Sequence, residues 1–184
     1  MDLKKGDVLL WWDDEWTFQV GKRVWRLPIP TPIAVHTDVY VGNGKVRTCI
    51  QGKGTSGSTV NKRQKQFLKG VAVRVLEPCN MDRVVKLANE WKSDYDWMGY
   101  YGQYLDIFLS QYTFPFPDFS SKSDAWTEKL QNPKLAYCSS HAAICYWWGS
   151  KVHLVGKDPH LVSPQDIYVW AQKHKKTRKI IKIA

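Results

Sequence analysis

The sequence predicts one α+β domain built on an antiparallel sheet, and three observations carry that expectation. The first half of the chain reads as short strands, two of them joined at an Asn-Gly dipeptide. The second half places apolar residues at helical spacing behind residues that cap helices. No internal repeat and no linker divides the 184 residues, a length that suits a single hydrophobic core.

In chain order, Val8 to Trp12 reads as a buried strand after the turn at Gly6-Asp7, and Lys22 to Leu27 alternates like a second. The run Pro28-Ile29-Pro30-Thr31-Pro32 lacks three amide donors, so an extended connector is expected there. Ala34 to Val41 and Lys45 to Gln51 form the hairpin around Asn43-Gly44, both of which tolerate positive φ. Gly52 to Ser58, rich in Gly, Ser and Thr, is expected to be a loop, and Val71 to Leu76 another strand. Asn80 caps a helix to about Ser93, with Val84, Leu87, Ala88 and Trp91 on one face. A second, aromatic-rich helix is expected from Asp96 to about Ser110, then a long irregular loop from Phe114 to about Pro133. Tyr137 to Trp148 is helical, and Ser163 caps a last helix with Pro164 at its first position.

Composition narrows the function classes. Hydrophobic residues make up 43% and charged residues 24%, an ordinary globular balance, while ten tryptophans are many for this length. The net charge is +10, and Lys173, Lys175, Lys176, Arg178, Lys179 and Lys182 supply six of those charges at the end of the chain. A solvated basic end is the simpler reading of that cluster. An anionic partner (cell-wall polymer, membrane surface or nucleic acid) is the other. The domain is therefore expected over 1–172, with 173–184 as a basic tail or edge strand. No stretch is long enough to span a bilayer, and no signal peptide is seen, so a cytoplasmic or virion-associated protein with free thiols is expected. Cys49, Cys79, Cys138 and Cys145 match neither zinc-site nor redox spacing, so neither a metal nor a cofactor is called for.

Two residues draw attention as chemistry. Cys138 begins a predicted helix, where the backbone amides stabilise a thiolate and an oxyanion formed by attack on a carbonyl. His36 lies on the strand that enters the Asn-Gly turn. Counting back from Gly42 opposite Lys45 sets Gln51 across from His36, where it would orient the imidazole; Asp38, on the same face as His36, is the rival for that role. Cys145 reads as core and Cys79 as a loop residue, and His141, His153, His160 and His174 as structural or solvated.

These segments together resemble a known family. Lys5-Gly6-Asp7-Val8-Leu9-Leu10, His36-Thr37-Asp38-Val39-Tyr40-Val41-Gly42-Asn43-Gly44, Ser93-Asp94-Tyr95-Asp96-Trp97-Met98-Gly99, Tyr137-Cys138-Ser139 and Leu161-Val162-Ser163-Pro164-Gln165-Asp166-Ile167 are similar, in order, to motifs of the circularly permuted NlpC-type papain-like cysteine hydrolases, the YiiX-like branch. The resemblance implies a permuted papain-like fold, a sheet or barrel packed against helices, with the histidine strand ahead of the cysteine helix. It implies Cys138 as nucleophile, His36 as base and a peptidoglycan peptide or another acyl group as substrate. The chain departs from the family pattern at Ser140, where Glu is frequent, and near Thr48, where an acid is frequent. The expected function is thus a cysteine hydrolase that cleaves an amide or ester through an acyl-enzyme, in a cleft walled by the Gly52–Ser58 and Phe114–Trp126 loops. A non-catalytic module that holds an anionic polymer is the alternative.

Overall fold

A computed structural model describes residues 2–20, 23–50, 53–96, 98–102 and 134–183, with backbone only over 16–32. The strands are β1 (Val8–Val20), β2 (Arg23–Gly42), β3 (Lys45–Ile50), β4 (Gly54–Thr59), β5 (Lys69–Val75) and β6 (Arg178–Lys182). The helices are α1 (Val60–Gln66), α2 (Met81–Glu90), α3 (Cys138–Ser150) and α4 (Pro164–Lys173), with a 3-10 turn at Pro159–Leu161. The strands form one antiparallel sheet in the order β4-β3-β2-β1-β5-β6. The α+β class and the antiparallel sheet are as expected.

Alternation along the strands sorts side chains to two faces. Val8, Leu10, Trp12, Val39, Val71, Val73 and Val75 pack under α2, α3 and α4 as the main core. Leu9, Trp11, Val46 and Ala72 point the other way and are covered by Val60 and Phe67 of the α1 segment. α3 is buried from Cys138 through Tyr146, as a helix in the middle of a core must be. α2 buries only Val84 and Ala88, and Asn80 caps it by accepting from the Arg83 amide. Ser163 caps α4 in a reciprocal pair with Asp166.

Several expectations change. The proline run belongs to β2 rather than to a connector. It is tolerated because, among the described residues, that part of β2 pairs with β1 on one side only, with the register shifting between Asp13 and Glu15, so a missing donor breaks no central ladder there. The Gly/Ser/Thr segment is the edge strand β4, paired from Gly54 to Thr59 with β3. An edge strand held by its backbone needs no apolar alternation, which is why its sequence looked like a loop. Thr55 fastens its outer side by exchanging hydrogen bonds with Ser93. α1 was not anticipated; Thr59 caps it by accepting from the Lys62 amide. The expected helix from Asp96 is described only at residues 98–102, and the Phe114–Trp126 loop lies outside the described residues.

The Asn-Gly turn is as expected, with φ of 52° at Asn43 and 69° at Gly44, the mirror-image geometry suited to a hairpin. Gly42 faces Lys45, but the next pairs are Tyr40 with Val46 and Val39 with Arg47, so β2 holds one extra residue in a bulge. Extended along the strands, that register sets Ile50 rather than Gln51 across from His36. The count that gave Gln51 its role therefore fails at the bulge, and Gln51 itself lies outside the described residues.

The basic end takes the edge-strand form. β6 pairs with β5 from Val75–Arg178 to Val71–Lys182. Ile180 joins the main core, Ile181 and Ile183 join the α1 side, and buried Arg178 donates to Glu77 at 2.6 Å. The folded unit thus runs past the boundary expected at residue 172. Ile180→Ala should lower stability by about 1–2 kcal/mol, less than at a fully buried isoleucine because this one is half-covered. Deleting 173–184 should lower the thermal midpoint clearly. Urea and thermal unfolding check both, and an unchanged midpoint would return the segment to the status of a tail.

Candidate active site

Asp38 is the centre from which the site is built. Its side chain is completely buried on β2. A carboxylate in that position needs partners of positive or donor character. It has three: Trp11 Nε1 donates at 2.7 Å, Arg63 donates through Nε and Nη2 at 3.1 Å each, and His36 Nε2 stands 3.3 Å from Oδ1. The sheet supplies two of these. Leu9 pairs with Asp38 and Trp11 with His36, so Trp11, His36 and Asp38 share the face that α1 covers. α1 supplies the third, and its C-cap residue Phe67 stacks on both the His36 ring (5.5 Å, 11°) and the Trp11 ring (6.0 Å, 21°).

Asp38 is favoured by both of its cationic neighbours, while those two neighbours oppose each other. Burial pushes the Asp38 carboxyl up, but the His36 imidazole and the Arg63 guanidinium outweigh it and hold the group below the usual carboxylate range. Burial pulls His36 down; the Asp38 carboxylate and, to a smaller degree, Cys138 overcome both that and the opposing Arg63 charge, so His36 holds its proton more tightly than a free imidazole. His36 keeps 12% of its side chain exposed, which leaves it reachable from solvent.

Cys138 is the first residue of α3, behind the N-cap Tyr137. The Tyr137 amide donates to Ser140 Oγ at 2.8 Å, and Ser140 donates back to the Tyr137 carbonyl at 3.0 Å, so Ser140, at the position where the family frequently has Glu, closes the helix start. The Tyr137 hydroxyl donates to the His160 carbonyl and fixes the turn from the other side. α3 packs on the sheet face opposite α1, and Cys138 is a minor contributor to the raised His36 value, behind Asp38. Among the described residues no hydrogen bond joins Cys138 to His36; the structure brings His36 and Asp38 into contact, and Cys138 with neither.

The remaining candidates separate by burial. Cys49 is fully buried, and burial, with smaller contributions from Cys138 and Asp94, pushes its thiol up to about 12. Burial also raises Cys145 and Cys79. His141, stacked on Trp91 at 5.4 Å and sealed in the core, is pulled down to about 4 by burial and stays neutral, in keeping with a structural role. His153 lies tilted against Trp147 at 4.2 Å, and His174 stacks on Trp170 at 3.7 Å. Sequence reasoning missed Arg63, Trp11 and Phe67. The Thr59 cap was the available signal for the helix that carries Arg63. Among the described residues no group of three or more His, Cys, Asp or Glu could hold a metal ion. No helix among them is long and apolar enough to cross a membrane.

No protein-family model matches the chain, and neither a curated protein nor a solved structure is significantly similar to it.

The pair makes opposite contributions to stability across pH. His36 has a raised folded-state value, so its contribution is full below about pH 6.5 and fades as pH rises through that folded value. Asp38 has a lowered one, so its contribution is present above about pH 3.9 and is lost as pH falls through the folded value. Urea unfolding followed across neutral and mildly alkaline pH should show a decline that disappears in His36→Gln. Asp38→Asn should cost about 3–5 kcal/mol at neutral pH, because it leaves the Arg63 cation buried without its counter-charge. A loss under about 1 kcal/mol would mean the cation is solvated after all.

Proposed function

We propose that this chain is a cysteine hydrolase in which Cys138 is the nucleophile, His36 the proton carrier and Asp38 the orienting residue. The observation that carries the reading is the combination at one end of β2. Cys138 opens a buried helix, and it is one of the groups that raise the pKa of a histidine whose Nε2 is already engaged by a buried carboxylate. With Nε2 turned to Asp38, Nδ1 is the ring nitrogen left to exchange a proton with the thiol. The missing hydrogen bond between them is compatible with this, since such contacts commonly tighten only when substrate is bound.

The chemistry follows from these groups. His36 takes the proton of Cys138, and Sγ attacks the carbonyl carbon of an amide or ester. The negative charge on the carbonyl oxygen is met by the Cys138 amide, which has no partner within the helix at this position. Collapse of the tetrahedral species breaks the bond to the leaving group, which departs with the proton from His36. Water then adds to the thioester while His36 accepts its proton; the acid is released, and the thiol recovers its proton. The fold implied by this reading is the permuted papain-like one, in which the histidine strand precedes the cysteine helix as β2 precedes α3 here. The resemblance of the five motif segments favours a peptidoglycan peptide as substrate, with other acyl groups after it.

A small alkylating agent followed by peptide mass spectrometry should modify Cys138 first, with Cys49 and Cys145 silent in the folded chain. Cys138→Ser should keep the fold and lower hydrolysis of peptidoglycan fragments or activated esters by roughly a thousandfold or more. If all four thiols react slowly and alike, and no acyl substrate is turned over, the chain is a binding module and the hydrolase reading fails.

A further inference from the structure

Arg63 stands out among the charged side chains near the site because it is buried and its charge opposes the role given to His36. It presents its guanidinium edge-on to Asp38 through Nε and Nη2, while Nη1 donates to Gln66 Oε1 at 3.0 Å. Both hydrogen bonds to the buried acid come from one residue of this short helix, and the third ties the guanidinium to the helix itself. A fork of this kind fixes the rotamer of the carboxylate as well as its charge. Phe67, at the end of the same helix, lies flat on the His36 ring. α1 therefore touches both members of the His36–Asp38 pair and holds them from the side away from α3.

We propose that Arg63 is a positioning residue that shares the charge of Asp38 with His36, so that the imidazole releases its proton more readily than Asp38 alone would allow. The inference rests on the cysteine-hydrolase reading, in which His36 must do both within one turnover. With Asp38 as its only charged partner His36 would be a strong proton holder, good at sustaining a thiolate and poor at protonating a leaving group. A guanidinium on the same carboxylate dilutes that hold. Among the described residues, the titratable and charged groups that act on His36 are Asp38 from β2, Arg63 from α1 and Cys138 from α3. His141, also on α3, stacks on Trp91 and is kept neutral by burial. Phe67 and Trp11 contribute no charge.

The test is an NMR titration of the His36 ring in the full chain, in wild type, Arg63→Met, Asp38→Asn and the double variant. Arg63→Met should move the His36 midpoint to higher pH. Adding it to Asp38→Asn should also move the midpoint up relative to Asp38→Asn alone, because a cation is again removed. The double variant leaves no unpaired buried charge, so it keeps the experiment decisive if a single variant fails to fold. Arg63→Lys, which keeps the charge and loses the fork, should hold the midpoint near wild type while lowering kcat more than it raises KM. A midpoint that does not move when Arg63 is removed, in either background, overturns the assignment. The titration needs no substrate, so its failure is distinct from that of the hydrolase reading: a midpoint that moves as expected in a chain with unreactive Cys138 keeps Arg63's charge-sharing and removes the thiol chemistry.

Discussion

The buried carboxylate of Asp38 is the constraint around which the middle of this protein is arranged. A charge with no exposed surface is tolerated only where donors surround it, and here they come from a strand neighbour, a histidine two residues away and a helix that lies on the sheet. Each donor in turn fixes something else. Trp11 fills the small core beside Val46 and Ala72, Arg63 anchors α1, and His36 is held flat against Phe67. The seven-residue helix α1 is too short to be stable alone. Its position follows from the ion pair and from Val60 and Phe67 rather than from its own propensity.

Much of the fold was legible because its signals are local. Asn43-Gly44 admits one sharp turn geometry, Asn80 and Ser163 are side chains that finish a helix start, and the apolar spacing of α2 names its inner face. What the sequence hid is non-local. β4 has no apolar pattern, since its stability comes from pairing with β3 and from Ser93. The bulge near Val41 leaves no trace in residue type, and one extra residue is enough to change which side chain of β3 meets His36. In the candidate site, Cys138 and His36 could be singled out from a helix start and a strand position. Asp38 could be ranked only beside Gln51, because choosing between them required the register. Arg63 lay in an unassigned stretch between a predicted loop and a predicted strand, and only the three-dimensional structure sets it against an acid 25 positions away.

The two outer strands handle their exposed edges differently. β4 is short, polar and tied to Ser93. β6 is studded with Lys179 and Lys182 while its isoleucines turn inward to both cores. Lysines on an outermost strand discourage a second chain from adding to the sheet. Part of the positive charge at this end therefore has a use within the fold, independent of any anionic partner.

The strand order also bears on how the chain assembles. β1 to β4 are consecutive in sequence, and their pairings run from neighbour to neighbour. β5 returns to lie beside β1, and β6 joins β5 only after the whole helical half has intervened, with Val75 meeting Arg178. Pairings between distant segments are entropically late and slow. The meander with its hairpin is thus the natural early structure, and docking of β6 belongs to the last stage. Until then β5 carries an open rim, and at high protein concentration that rim is where a second molecule would first add.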